Sequence, residues 1–117
     1  MEWIVAFFDA FETEFDACPQ AVQDAILAKA GLLEREGPQL GRPHVDALAG
    51  SRHANMKELR CNADDGVWRV LFAFGPDRQA ILLAAGNKSG VNQQLFCRQL
   101  IAKADERFDR HLDTMER

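Results

Sequence analysis

The stretch from Asn55 to Phe74, NMKELRCNADDGVWRVLFAF, constrains the fold of this chain more than any other part of the sequence. It predicts two β-strands joined by a tight turn at Asp65-Gly66, because glycine takes positive φ at little cost and aspartate tolerates it. A strand points successive side chains to opposite faces. In the second strand this period puts one set of residues on one face, Trp68, Val70, Phe72 and Phe74, and the other set on the opposite face, Val67, Arg69, Leu71 and Ala73.

The same period in the first strand places Glu58 and Arg60 on one face and Leu59 and Cys61 on the other. If Leu59 faces the core, Glu58 and Arg60 are expected to face outward, where Arg69 of the neighbouring strand can join them. A carboxylate and two guanidinium groups on one sheet surface form either a salt-bridge ladder or a functional site. The residues alone leave both interpretations open.

The flanking segments predict a strand at residues 2–8, a short helix after Asp9, and a second helix that begins at Pro19 and ends at Gly37-Pro38. The apolar run from Ala80 to Ala85 predicts a strand covered on both sides, and helical spacing resumes in the last quarter of the chain. The predicted fold class is α+β: an N-terminal strand and a two-helix hairpin packed on a mostly antiparallel sheet, with a C-terminal helix. At 117 residues, positions 1–117 are expected to form a single domain.

Residues 38–55, PQLGRPHVDALAGSRHAN, show no clear period and are predicted to form a long loop. A loop of this length in a small domain is usually functional or mobile. It contains two arginines and two histidines, Arg42, His44, Arg52 and His53. They are either solvated loop charges or a flexible basic rim beside a site on the following strand.

Charge and composition limit the classes of function. The net charge of −4 argues against a generic nucleic-acid binder, although residues 42–60 carry four cationic and two acidic side chains, so a local basic patch can still attract phosphate. No apolar run is long enough to cross a membrane, and the N-terminus lacks the features of a signal peptide. Three widely spaced cysteines, Cys18, Cys61 and Cys97, fit buried thiols in a reducing cytoplasm better than a metal site or a disulfide framework.

Several kinds of chemistry find no support in the sequence: a phosphate loop, a dinucleotide fingerprint, an HExxH zinc motif and a serine nucleophile elbow. No metal and no cofactor are therefore expected. The remaining candidates are cationic, and they suit metal-free RNA cleavage by the RNA's own 2′-hydroxyl. In such a site Arg60, Arg69 and Lys88 would stabilise the phosphorane, Glu58 would take the 2′-proton, and a nearby lysine or histidine would protonate the leaving oxygen.

Four segments together resemble the RelE/ParE superfamily of toxins, and more narrowly its HigB-like, phage-associated branch of type II toxin–antitoxin modules. They are LGRPHVDALAGSRHANMKELR, GVWRVLFAF, AILLAAGNKSG and QLFCRQLIAKADERFDRHL, and the similarity extends over about residues 3–112 in the right order. The resemblance implies two N-terminal helices on a curved antiparallel sheet with a C-terminal helix. It also implies ribosome-dependent mRNA endonuclease activity without a metal, held in check by a cognate antitoxin.

By position, Arg69 matches the arginine that contacts the scissile phosphate in ribonuclease members of the superfamily, and Lys88 falls where they place a basic residue after the last strand. Arg60 and Glu58 lie on the strand that supplies their other catalytic groups, at a point where ribosome-cleaving members often have lysine instead of Glu58. The tyrosine that many members have near the start of the last helix is absent from this chain. The predicted catalytic residues are Arg69, Arg60, Lys88 and Glu58, and the predicted RNA-binding residues are Lys57, Arg52, His53 and Arg42.

The sequence and the resemblance together predict a cytoplasmic toxin that cleaves mRNA on the ribosome. Its expected partners are the ribosome, mRNA and a small helix-turn-helix antitoxin encoded next to it, with operator DNA reached only through the antitoxin and no membrane partner. One alternative is a non-nucleolytic toxin of the same fold that acts on a protein target such as DNA gyrase. The other is an inactive module that only binds the antitoxin.

Overall fold

The structure, a computed structural model, describes residues 2–63, 66–87 and 93–115. Its elements in chain order are β1 (Ile4–Phe7), α1 (Asp9–Asp16), α2 (Gln20–Glu36), a 3₁₀ turn (Gly37–Gln39), β2 (Val45–Ala47), β3 (Met56–Ala63), β4 (Gly66–Gly75), β5 (Gln79–Asn87) and α3 (Gln93–Met115). The strands form a five-stranded sheet in the order β1-β5-β4-β3-β2. β1 runs parallel to β5, and the other neighbouring strands in that order are antiparallel. The predicted α+β fold is confirmed.

One face of the sheet packs against α1 and α2 and is called here the hairpin face. Phe11 and Phe15 of α1 and Val22, Ile26 and Leu33 of α2 are buried there. They cover the alternate strand residues that the sequence pattern assigned to the core, Leu59, Cys61, Val70 and Phe72. Cys61 lies in this core and its burial raises the pKa of the thiol to about 12, whereas Cys18 and Cys97 are half-buried free thiols.

The opposite face packs against α3 and is called here the α3 face. Leu100, Ala104 and Phe108 recur every four residues along α3 and are buried. They contact a second apolar cluster on the strands, formed by Met56, Leu71, Ala73, Ile81 and Leu83. Both faces of the central strands are therefore covered, as predicted for β5. Among the described helices, none combines the length and the apolar character that a membrane crossing needs.

A β-bulge in β5 changes which residues share a face. Phe72 pairs with Leu82 but Leu71 pairs with Ala84, so Leu83 is the extra residue. Leu83 and Ala84 consequently both lie in the cluster on the α3 face, and the alternation of β5 is shifted by one beyond them. The carbonyl of Leu83 accepts a hydrogen bond from Arg107 Nη1 at 2.7 Å.

The segment predicted as a loop, residues 38–55, contains the short strand β2. Val45 pairs with Leu59, Asp46 with Glu58 and Ala47 with Lys57. The prediction of a structureless loop is therefore wrong over these three residues. Three residues are too few to show an alternating pattern, and β2 is stabilised as an edge strand by its pairing with β3.

Gly37 ends α2 in a conformation that requires glycine. Its φ is 60° and ψ is −142°, and the N–H of the cap donates to the carbonyl of Leu33. A Cβ at this position would collide with the indole of Trp3. Trp3 is tied to the same helix end, because its N–H donates to the carbonyl of Glu34 at 2.8 Å.

We expect Gly37→Ala to lower the free energy of unfolding by about 1–3 kcal/mol, because it combines backbone strain with displacement of Trp3. Gly31→Ala is the matched control: a Cβ at Gly31 meets no atom within 4 Å, and alanine favours the helix by up to about 1 kcal/mol. Urea unfolding of both variants measures the difference. A Gly37→Ala variant as stable as Gly31→Ala would show that position 37 does not require glycine.

Glu14 and Arg107 join α1 to α3 with two hydrogen bonds, Nη1 to Oε1 at 2.9 Å and Nη2 to Oε2 at 2.6 Å. The hydrogen bonds from Arg107 hold the pKa of Glu14 below its ordinary value of 4.5, and partial burial opposes them. A carboxyl with a lowered pKa in the folded state stabilises the protein above its unfolded pKa, and this contribution is lost as the pH falls.

We therefore expect the wild-type protein to lose stability as the pH falls below 4.5, and Glu14→Gln to lose less over the same range. Glu12→Gln, an exposed position on the same helix, is the control and should follow the wild type. Urea unfolding from neutral pH to acid measures both slopes. Equal slopes for Glu14→Gln and Glu12→Gln would show that the bridge to Arg107 does not contribute.

Candidate functional site

Charged side chains of β2, β3 and β4 gather at one end of the α3 face. Asp46 lies opposite Glu58, and Arg60 lies opposite Arg69. The like charges are thus direct neighbours across the strands, and the opposite charges meet diagonally, at a distance that long side chains can span. With Arg42, which bonds to Asp46, these residues form what is called here the charged patch: Arg42, Asp46, Glu58, Arg60 and Arg69.

Glu58 and Arg69 form a largely buried ion pair between Oε2 and Nη1. The side chain of Glu58 is 9% exposed and that of Arg69 is 19% exposed. The expectation that Glu58 would face outward, with Arg69 beside it, is wrong, because α3 covers this part of the sheet. The residues around the pair are Leu48, Leu71, Phe96, Cys97, Leu100 and Ile101.

The position of α3 above the pair depends on Gly86. Gly86 lies directly opposite Arg69, and a Cβ there would collide with the ring of Phe96. The missing side chain lets Phe96 rest on the strand beside Arg69. Nε of Arg69 is buried and has no hydrogen-bond partner among the described residues, so Glu58 is the anchor that the structure gives this guanidinium.

Arg60 is held more loosely than Arg69. Its Nη1 lies 4.0 Å from Oδ2 of Asp46, and its side chain is 39% exposed. Asp46 bonds more closely to Arg42, whose Nε donates to Oδ1 at 3.1 Å from a mostly exposed side chain. The hydrogen bond from Arg42 holds the pKa of Asp46 below its ordinary value, and Arg60 adds a smaller effect of the same sign.

Arg52 and His53, predicted to bind RNA, lie against α3 instead of in the charged patch. The guanidinium of Arg52 and Nε2 of His53 both bond to Asp109, the latter at 2.8 Å. Buried Asp105 accepts hydrogen bonds from Ser51 Oγ at 2.5 Å and from the N–H of Arg52 at 3.1 Å. This segment is therefore docked on the helix, and the idea of a continuous flexible rim does not describe it.

The other predicted residues are also divided by the fold. Lys57 pairs with Phe72 across the strands and points to the hairpin face, away from Glu58, because successive residues of a strand point to opposite faces. His44 contacts Lys29 of α2, with 2.7 Å between Nδ1 and Nζ. Lys88 lies outside the described residues. Of the predicted RNA-binding residues, Arg42 alone joins Glu58, Arg60 and Arg69 in the patch.

Asp46 is the member of the patch that the sequence did not single out. The sequence gives little indication of a role for Asp46, because a single aspartate in a segment without hydrophobic periodicity resembles an ordinary loop residue. The strand pairing of β2 brings it to the α3 face beside Arg60. Chemically, the patch offers three guanidinium groups, which match phosphate oxygens in geometry, and each of them already has a carboxylate partner. Within the described ranges, no three His, Cys, Asp or Glu side chains converge in the manner of a metal site.

The arrangement of sheet and helices is that of the RelE toxins. The chain superposes on a mutant of Escherichia coli toxin RelE in the free state with a TM-score of 0.62 over 92% of this chain and 98% of that one, at 11% identity. It superposes on a chain of the archaeal RelE–RelB complex from Pyrococcus horikoshii OT3 with a TM-score of 0.56 over 78% of this chain and 100% of that one, at 18% identity. At these identities the similarity establishes the fold.

Residues 13–109 match the family described as phage derived protein Gp49-like (DUF891), and the chain belongs to this family. It is 50% identical to HigB2 of Mycobacterium tuberculosis (strain ATCC 25618 / H37Rv) over 94 residues, 80% of this chain and 46% of HigB2. It is 47% identical to HigB3 of the same strain over 93 residues, 77% of this chain and 79% of HigB3. The chain thus spans about half the length of HigB2. Both relatives carry toxin names, and the resemblance to the HigB-like branch is confirmed.

The docking of residues 51–53 gives a prediction. We expect Asp105→Ala to lower the free energy of unfolding by about 1–3 kcal/mol, because two buried hydrogen bonds to Ser51 and Arg52 are lost. We also expect faster tryptic cleavage after Arg52, since the released segment fits a protease more readily. Glu106→Ala, at an exposed neighbouring position, is the control. Cleavage at Arg52 that is equally slow in both variants would show that Asp105 does not hold the segment.

Proposed function

We propose that this chain is the toxin of a type II toxin–antitoxin module and that it cleaves mRNA on the ribosome without a metal ion. Its membership of a family with HigB relatives and its RelE-like fold support the toxin role. The observation that carries the proposed chemistry is the placement of Arg60 and Arg69 side by side on adjacent strands. Together they can bind the non-bridging oxygens of one phosphodiester.

The reaction proposed is attack of the RNA 2′-oxygen on the adjacent phosphorus. The 2′-hydroxyl gives its proton to a solvent water, and the bond from phosphorus to the 5′-oxygen breaks. The leaving 5′-oxygen takes a proton from Lys88 or from solvent, and the products are a 2′,3′-cyclic phosphate and a 5′-hydroxyl. The phosphorane carries more negative charge than the substrate, so fixed guanidinium groups stabilise it more than the ground state. Lys88 remains the proposed donor or additional cation, on the basis of the family resemblance alone.

Glu58 enters this proposal in a role different from the predicted one. A carboxylate that is 9% exposed and bonded to Arg69 is poorly placed to take a proton from a substrate hydroxyl. To act as the base it would have to leave Arg69, and the guanidinium would then lose its anchor. We assign Glu58 the task of positioning Arg69, so that the guanidinium is aimed before the RNA arrives.

The proposed partner is a small helix-turn-helix antitoxin encoded next to this chain, and any contact with operator DNA is made through it. The structural neighbour from Pyrococcus horikoshii is in complex with RelB. An acidic segment of the antitoxin placed over Arg42 and Arg60 would neutralise the exposed cations of the patch. The proposed site of action is the cytoplasm, where the ribosomes are.

A second function, toxicity through a protein target such as DNA gyrase, is favoured by two observations. The chain has a net charge of −4, and Arg69 is already paired with Glu58. Both features weaken attraction to a phosphate-rich ribosome. An inactive module that only binds the antitoxin is the third candidate.

The test is induction of the protein in bacteria with and without the adjacent gene, followed by mapping of transcript ends. We expect growth arrest, relief by the adjacent gene, and fragments with 5′-hydroxyl ends. Arg60→Ala should slow cleavage about a hundredfold, because one donor to the transition state is removed. Arg35→Ala, an exposed arginine on α2, should cleave like the wild type.

Arg69 needs a paired substitution, because Arg69→Ala alone would leave the buried carboxylate of Glu58 without a partner. The double variant Arg69→Gln/Glu58→Gln removes both charges and leaves two amides that can hydrogen-bond to each other, and it should abolish cleavage while remaining folded. Arrest that survives both variants with intact transcripts would favour the protein target. An absence of arrest in the wild type would rule out both toxin functions.

A further inference from the structure

The charged patch is nearly neutral by itself. Its three arginines face two carboxylates, Asp46 and Glu58, within the same sheet surface. An RNA phosphate that approaches Arg60 therefore meets the negative charge of Asp46 as well. The two carboxylates differ in how easily they can yield their arginines to another anion.

Glu58 cannot release Arg69 at low cost, because both side chains are largely buried and a separated pair would leave an uncompensated charge. Asp46 is different. Its side chain is 24% exposed, its ion pair with Arg60 is at 4.0 Å, and the side chain of Arg42 is mostly in solvent. Water can solvate Asp46, Arg42 and Arg60 separately, so exchange of partners costs little.

We propose that Asp46 is an internal competitor for the phosphodiester that binds at Arg60 and Arg42, so that it limits the affinity of the patch for single-stranded RNA. The inference rests on the proposed function for the identity of the ligand. Arg60 and Arg42 lie on either side of one carboxylate, and an RNA phosphate that takes its place gains two guanidinium partners. Arg69 stays bonded to Glu58 while this exchange takes place.

The choice of RNA over an acidic peptide follows from the proposed function, because a guanidinium binds carboxylate and phosphate oxygens in the same bidentate way. A guanidinium presents two parallel N–H groups that match a pair of phosphate oxygens, and successive phosphates of one strand can reach Arg60 and Arg42 in turn. Because Asp46 competes for both arginines, a phosphate that binds only one of them gains little free energy. An RNA strand with several phosphates gains enough binding free energy to displace Asp46 from both arginines.

The test is binding of a labelled, single-stranded 2′-O-methyl RNA, whose blocked 2′-oxygen prevents cleavage, measured by fluorescence anisotropy at low salt. We expect Asp46→Asn to lower Kd about three- to tenfold, because one repulsive charge near the ligand is removed. Asp24→Asn changes the net charge equally on α2, which packs on the hairpin face, and its Kd should stay within about twofold of the wild type. Higher salt should reduce the gain.

Arg42→Ala keeps the inference testable should Asp46→Asn fold poorly. It removes a phosphate-binding group, so Kd should rise about two- to fivefold at low salt, which is the effect of losing one contact to a phosphate. Equal Kd values for Asp46→Asn and Asp24→Asn would overturn the inference, as would an absence of RNA binding. A gain of affinity seen with a poly-aspartate peptide but not with RNA would also overturn it, in favour of an acidic protein segment.

The competitor role of Asp46 and the proposed nuclease activity can be disproved independently of each other in these experiments. If Asp46→Asn binds the 2′-O-methyl RNA more tightly but no variant cleaves RNA, the competitor role stands and the proposed nuclease falls. If the wild type cleaves RNA and Asp46→Asn binds no better than Asp24→Asn, the nuclease stands and the competitor role falls.

Discussion

Burial of both sheet faces is the constraint on which the rest of this structure depends. Helices α1 and α2 cover one face of β3, β4 and β5, and α3 covers the other. A charged residue on these strands must therefore be paired or must lie where the helical cover ends. Glu58 and Arg69 satisfy the first condition, and Arg60 satisfies the second. The difference between them follows from the position of α3 and not from their residue types.

The bulge at Leu83 determines how α3 meets the site. It shifts the alternation of β5, and so brings Gly86 to the same face as Arg69. Gly86 in turn accommodates Phe96, which sets the height of the helix above the Glu58–Arg69 pair. Arg107 bonds to the carbonyl of Leu83 and to Glu14, so one side chain links the bulge to α1. An irregular strand, a glycine and an arginine thus act together on the geometry of the patch.

The salt-bridge ladder and the functional site are compatible interpretations of the same residues. The ion pairs of a ladder are present, and each arginine of the patch has a carboxylate partner. A buried pair holds one guanidinium in a fixed direction, while loosely paired arginines can exchange a carboxylate for a phosphate. Under the proposed function, this mutual neutralisation of arginines and carboxylates would explain how an acidic chain could bind RNA at the patch without attracting nucleic acid in general.

The sequence by itself determined the order of the main elements, the face on which Glu58, Arg60 and Arg69 lie, and the separation of Lys57 from them. These features follow from a strand period of two and a helix period of 3.6, which are local properties of the backbone. Only the tertiary structure decided that α3 buries Glu58, that β2 brings Asp46 to Arg60, and that Asp105 and Asp109 hold Arg52 and His53. Those contacts join residues distant in the chain, and the bulge that sets the register of β5 lies within a continuous apolar run. Local periodicity carries no information about such contacts, because they depend on how separate elements pack together.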